Sequence, residues 1–419
     1  MKNRDQTPLK RRTPLPASSL YRRDIMNRIH VGMTMPLLIA TALSAHAQSS
    51  VTIYGSIDAT IGASKTTAGT TTPGGVVTVA TPGGTITRMD SSVGPSSRLG
   101  FRGSEDLWSG LKANFVLEQG FGVDTGALQQ GGLAFGRQAF VGLSSTAGWS
   151  VSVGRQYSPM FLGFGQSDAL AGTYWGNIAN NSGLGIYESL SSTPGGGAFQ
   201  SAGRVDNSFL LAWTSGPVAA KLMLGAGNEN QRGTGRLINP HISYTSGPLQ
   251  INASYVRVRQ NSESITATAD PEWLSEWLVG GSYNFGPVRL FTGYFRLNGP
   301  KDQGNLSAAA KASPFSYTWS KTNSVWLGAQ IPVGVQDMFI AQVARTNYDY
   351  SSGPSGKGLV LGFVYEHALS KRTTLYANYG QTNNNAYAKG PLNAAVPVIL
   401  SNGYGGDQKA LAFGVRHTF

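Results

Sequence analysis

The sequence predicts an all-β chain: sixteen antiparallel strands closed into a transmembrane barrel, with short periplasmic turns and long extracellular loops. Three observations predict it. Apolar and polar residues alternate in segment after segment, which is the period of a strand and not of a helix. The connections are short and long in turn, as in an up-and-down membrane barrel. Only 13% of residues are charged and 55 of 419 are Gly, yet beyond the N-terminus no run approaches the roughly 20 apolar residues of a spanning helix.

The chain opens on an export label. From Met26, "MNRIHVGMTMPLLIATALSAHAQSS" gives Arg28 as a positive start and an apolar run from Val31 to Leu43. Ala45-His46-Ala47 then supplies an A-x-A cleavage site before Gln48. Residues 1–47 therefore read as a signal peptide and 48–419 as one barrel domain, with Met26 the expected true start. Residues 1–47 hold eight of the 33 Lys/Arg and two of the 21 Asp/Glu, so the formal charge falls from +12 to +6 without them. No basic run survives in the remainder, and a nucleic-acid partner is not expected.

The strands follow in order. "VTIYGSIDATIG" sets Val51, Ile53, Ile57 and Ile61 against Thr52, Ser56, Asp58 and Thr60. "SRLGFRGSEDL" sets Leu99 and Phe101 against Arg98, Gly100 and Arg102. "LKANFVLEQGF" sets Leu111, Ala113, Phe115 and Leu117 against Lys112, Asn114 and Glu118. "RVDNSFLLAW" sets Val205, Phe209, Leu211 and Trp213 against Arg204, Asp206 and Ser208. Sixteen segments of this kind lie near 51–64, 96–106, 110–121, 134–145, 148–158, 204–214, 217–227, 236–246, 248–259, 274–285, 287–298, 319–331, 336–347, 358–368, 372–382 and 408–419. Long connections fall at 65–95, 159–203, 260–273, 299–318 and 383–407. The first is Thr- and Gly-rich, "TTAGTTTPGGVVTVATPGGTIT", and reads as an exposed insertion.

The charged residues on the polar face suit a wet lumen, so the apolar face points to lipid. Aromatics at strand ends, among them Trp149, Trp213, Tyr244, Tyr283, Phe285 and Phe419, suit the two bilayer interfaces. Closure is required, because an open edge in hydrocarbon leaves backbone groups unpaired. Sixteen strands leave an aqueous channel. The last nine residues, "LAFGVRHTF", read as the strand that closes on the first, with Leu411, Phe413, Val415 and Phe419 toward lipid.

The segments "SSVTIYGSIDA", "SSRLGFRGSEDLWSGLKANFVLEQGF", "FGRQAFVGLSS", "WSVSVGRQYSP", "GRVDNSF", "YEHALSKRTTLYANYG" and "FGVRHTF" resemble a Gram-negative general porin of the β-proteobacterial type, in the same broad family as the neisserial porins. The resemblance implies a homotrimer of water-filled pores, each narrowed by an inward-folded third loop. Here that loop is the stretch after the fifth strand, with Asp168 and Glu188 its only ionised groups and Tyr174, Trp175 and Tyr187 as packing residues. The resemblance further implies a constriction in which Arg98, Arg102, Arg137, Arg155 and Arg204 face acidic groups, with Glu118, Asp168 and Asp206 as candidates. Arg98, Arg102 and Arg204 have lumen parity. Arg137 and Arg155 do not: either bulges at Gly136 and Gly154 re-aim them, or they sit at the rim. Each Arg has a competing role in a wall ion pair with Glu118 or Asp206. A ring of Arg favours anions. A terminal Phe419 is, by the same resemblance, the label read by the barrel-assembly machinery.

The residues give no support to an enzyme. There is no Cys, the five His lack metal-ligand spacing, and "GFGVDTG" has no helix behind it to make a nucleotide site. Neither a cofactor nor a metal is expected. The expected function is passive diffusion of small hydrophilic solutes and ions with a mild anion preference. A substrate-selective channel and a structural or adhesin barrel remain open alternatives.

Overall fold

The computed structural model of the chain describes residues 50–70, 79–81, 83–91, 93–179, 203–227, 235–260, 270–299, 301, 319–350, 353–392 and 403–419. The segment 1–47 expected to be a signal peptide, Tyr187 and Glu188 lie outside them. The first strands are β1 (Ser50–Thr66), β2 (Gly69–Thr70), β3 (Val79–Thr81), β4 (Gly84–Ser91), β5 (Arg98–Asp106), β6 (Leu111–Gly120), β7 (Gln138–Ser145), β8 (Trp149–Tyr157) and β9 (Arg204–Ser215). Then come β10 (Val218–Gly225), β11 (Leu237–Ser246), β12 (Leu249–Arg259), β13 (Trp273–Asn284), β14 (Arg289–Asn298) and β15 (Trp319–Val333). The last are β16 (Asp337–Tyr350), β17 (Gly356–Ala368), β18 (Thr373–Asn384) and β19 (Gln408–Thr418). One α-helix, α1 (Pro159–Ser167), follows β8.

Strand β1 and strands β5 to β19 pair antiparallel with their chain neighbours, and β1 pairs with β19 to close the barrel. The closing register runs from Ser56 opposite Thr418 to Thr66 opposite Gln408. Beyond it, Gly55 and Phe419 exchange backbone hydrogen bonds of 3.0 and 3.1 Å. The C-terminus is therefore a seam and cannot fray.

Directly opposed residues on paired strands share a face, so the register tests the alternation. Tyr54, Ser56, Asp58 and Thr60 face inward; Val51, Ile53 and Ile61 face outward at 66, 61 and 56% exposure. That exposure is what a lipid-facing surface requires. At the other edge of the seam, Leu411, Phe413 and Val415 are likewise outward.

The first long connection, read from the sequence as an exposed insertion, carries strands of its own. Its second half, β4, continues the sheet by pairing with Ala59 to Thr66 of β1, while β5 takes Ser50 to Ser56. β2 and β3 make a small separate sheet. The alternation in "GTITRMDS" is that of a strand, and the Thr-rich composition around it masks the signal.

Candidate functional site

The site starts from Glu118, which points inward from β6 and lies opposite Gly100 of β5. The absent side chain at Gly100 leaves room for Tyr54 of β1, whose hydroxyl donates to Glu118 Oε2 at 2.9 Å. Arg137 donates from Nε to Glu118 Oε1 at 2.7 Å, and both side chains are 5% exposed. Arg98 Nε lies 4.0 Å from Glu118 Oε2. Arg102 sits over the Tyr54 ring, 5.1 Å from its centroid.

Tyr157, the last residue of β8, extends the cluster. Its hydroxyl accepts from Arg137 at 2.5 Å and from Arg204 at 3.4 Å, and lies 3.4 Å from Glu118 Oε1, to which it donates. The Arg204 guanidinium also covers the Tyr157 ring at 5.0 Å. Arg155 pairs with Asp206 and donates to the Gly136 carbonyl at 2.7 Å.

The parity of Arg137 and Arg155 is resolved by local geometry. Gly154 has φ of 131°, a conformation L side chains rarely adopt. The β8–β9 register slips between Gly154 and Gln156, so Arg155 occupies a bulge. Arg137 precedes β7 and is free of its alternation.

Tyr157 leads straight into the third loop. Ser158 caps α1 by accepting from the Phe161 N–H at 3.1 Å, with Pro159 in the first turn. The Phe161 ring stacks on Tyr157 with centroids 5.5 Å apart. The described part of the loop then runs along the inner wall. Met160 N–H donates to Asn239 of β11 at 2.9 Å. Phe164 packs on Phe295 of β14 at 5.0 Å and Trp326 of β15 at 5.7 Å. Trp326 Nε1 donates to the Ser167 carbonyl at 2.6 Å. Ala169 N–H reaches Gln342 of β16 at 3.1 Å, and Trp175 N–H reaches Asn378 of β18 at 2.9 Å. Tyr174 donates to Glu366 of β17 and accepts from Arg416 of β19 at 3.0 Å. The loop therefore folds inward over residues 159–179.

This docking is backbone against backbone at one point. A Cβ on Gly176, which has φ of 94°, would lie 2.4 Å from the Gly362 Cα of β17.

Asp168 is not a lumen-facing charge. It is 1% exposed, and its two carboxylate oxygens accept from the backbone N–H groups of Leu170 at 3.0 Å and Gly172 at 2.8 Å. Its carboxylate is used up in closing the turn after α1. Burial pushes its carboxyl up to about 6, against the opposing pull of those donors.

Sequence reasoning missed Tyr54 and Tyr157, which organise the guanidinium groups, and the Glu366–Arg416 pair at 3.1 Å that holds Tyr174. Lumen parity offered a signal for Tyr54 and Arg416. None existed for their convergence.

The matching family model, Gram-negative porin, covers residues 34–387. The chain belongs to the Gram-negative porin family. The porin is 29% identical over 393 residues to outer membrane porin protein 32 of Delftia acidovorans, across 91% of this chain and 97% of that one. Among solved structures it is similar to the anion-selective porin from Comamonas acidovorans, with TM-score 0.69 and 25% identity. That match covers 89% of this chain and all of the other. The outer membrane protein OmpT of Vibrio cholerae, in a trimer form, shares the fold at TM-score 0.59 and 15% identity, covering 88% of this chain and 99% of its own. The porin is an outer-membrane channel for passive diffusion, and its family and fold are those of channels rather than enzymes.

Proposed function

We propose that the porin prefers anions mildly, and that Arg98, Arg102, Arg137, Arg155 and Arg204 set the preference. The observation carrying this is the charge balance around Tyr54 and Tyr157. Among the described residues, five guanidinium groups stand against two carboxylates, Glu118 and Asp206. Arg137 and Arg155 are engaged in the close ion pairs and position the cluster, with Arg98 more distant from Glu118 at 4.0 Å. Arg98, Arg102 and Arg204 supply the excess field beside the start of the third loop, where a positive ring favours anions. The likeness to an anion-selective porin supports the same reading.

The working unit is proposed to be a homotrimer, supported by the trimer form of a protein with this fold. Export by the segment 1–47 and recognition of Phe419 by the barrel-assembly machinery complete the proposal. The test of the anion preference is reversal potential in a salt gradient. Wild type should favour anions, less so at high ionic strength. Replacing Arg98, Arg102 and Arg204 by Ser should move the potential toward cations, and an unchanged potential rejects the assignment.

A further inference from the structure

The wall beside β1 is not one continuous strand. On that edge β4 pairs with Ala59 to Thr66 and β5 with Ser50 to Ser56, so among the described residues Ile57 and Asp58 have no ladder partner there. Between the two strands Val93–Ser97 turns into the lumen, with Val93 and Ser97 fully buried. The Ser97 hydroxyl takes the place of the missing strand. It accepts from the Asp58 N–H at 2.9 Å and donates to the Asp58 carbonyl at 3.2 Å.

Tyr376 of β18 reaches this turn from across the closing seam. Gly414 of β19 lies between Tyr376 and Thr60 in the register, and its missing side chain leaves room for the Tyr376 ring over β19. A Cβ there would sit 2.3 Å from that ring. The Tyr376 hydroxyl donates to Asp58 Oδ1 at 2.7 Å, accepts from the Gly94 N–H at 3.2 Å and meets Thr60 Oγ1 at 2.6 Å. One donated and two accepted bonds fill a phenolic hydroxyl.

Gly94 is where the first long connection meets the third loop. A Cβ on it would stand 2.8 Å from Asp58 Oδ2 and 3.2 Å from Tyr174 Cε1. The Tyr174 ring meets the Tyr376 ring edge-on, with centroids 5.3 Å apart. The next residue, Trp175, reaches β1 itself: a Cβ on Gly62 would lie 3.3 Å from its ring.

We infer that Asp58, Gly94 and Tyr376 are positioning residues for the bore. They clamp the distal end of the third loop from the first long connection, so a displacement of that connection is passed to the pore lining. Closing the seam would need only Tyr376 and Thr60. It would not need the wall to break at Ile57 and Asp58, which leaves backbone groups to be met some other way, nor Gly94 pressed against Tyr174. The clamp is separate from the loop's root at Tyr157 and does not depend on which ions the Arg cluster favours.

Hydrogen exchange and single-channel recording on the assembled porin test this. Gly94→Val sets a branched side chain against Asp58 and the Tyr174 ring. Exchange at the Trp175 and Asn177 N–H groups should speed up by at least about tenfold, the factor set by losing one buried hydrogen bond, and open-channel noise should rise. Tyr376→Phe keeps the ring and removes the hydroxyl, and should give the same changes at smaller size. In both variants exchange at Leu162 of α1, and at Ile61 and Phe413 of the seam, should keep the wild-type rate. If Gly94→Val fails to assemble, Tyr376→Phe decides alone. Faster exchange in the seam with Trp175 and Asn177 unchanged would make the cluster a seam brace and overturn the inference. Wild-type exchange at Trp175 and Asn177 together with wild-type noise would overturn it equally.

Discussion

Replacing Phe164 by Ala tests whether the third loop narrows the pore. Phe164 is 1% exposed. Its ring lies 5.0 Å from Phe295 and 5.7 Å from Trp326. Truncating a buried Phe costs roughly 3–5 kcal/mol in lost transfer and cavity terms. Here the whole cost falls on docking of α1, because the barrel ladder makes no use of that ring. A loss of about 3 kcal/mol lowers the docked-to-undocked ratio by more than about a hundredfold. The hydrogen bond from Trp326 to Ser167 and the distal contacts at Tyr174 and Trp175 remain, so the loop is loosened at its helical end and not released. Single-channel recording in planar bilayers should show larger conductance with more open-channel noise, and protease should gain access near α1. The control is Phe413→Ala on the lipid face, where the ring is 56% exposed; its conductance should match wild type. If Phe164→Ala leaves both conductance and protease protection unchanged in a folded barrel, the loop does not gate the bore by this contact.

Three further outcomes follow from the same geometry. The Asp168 carboxyl, pushed up to about 6 in the docked loop, holds its proton more tightly than in a released one near ~3.9. Docking is therefore strongest below the ordinary value and is lost as pH rises through about 6, by about 3 kcal/mol; hydrogen exchange at Leu170 and Gly172 should speed up across that window, and Asp168→Asn should flatten the dependence. Deleting Phe419 removes both bonds to Gly55 and should cut the yield of assembled porin while leaving the conductance of assembled channels intact; normal yield would count against a seam role. Glu118→Gln strips the buried Arg137 of its carboxylate, which should destabilise by roughly 3–5 kcal/mol and raise the anion preference; a lower melting temperature with an unchanged reversal potential would mean the pair is structural only.

The wall was legible because lipid imposes a rule: outward positions within the hydrocarbon band must be apolar while inward ones face water, so a period of two repeats through sixteen successive segments. The rule says nothing about residues that leave the alternation. Arg137 was ambiguous because it precedes β7, and Arg155 because the slip at Gly154 is set by β9 as much as by β8. The helix α1 was illegible for a different reason. "PMFLGFGQS" contains two glycines, so its propensity is poor, and it is helical because Phe164 and Met160 are buried against β11, β14 and β15. Asp168 looked like a pore charge because sequence cannot distinguish a solvated carboxylate from one closing a turn.

Charge and bore are usually treated as separate controls on a channel, but here one residue joins them. Tyr157 receives Arg137 and Arg204 on its hydroxyl while its ring stacks on Phe161 in the first turn of α1. The Arg137 and Arg204 guanidinium groups and the point where the loop leaves the wall thus share one side chain at the end of β8. A loop displaced at its root would pull Tyr157 from the cluster, and a cluster without its carboxylate would push against the ring that anchors the loop. Widening the pore and weakening its field are therefore linked consequences of one perturbation. The distal contacts of Tyr174 with Glu366 and Arg416 give the loop a second hold far from the cluster, which limits how far the first can move.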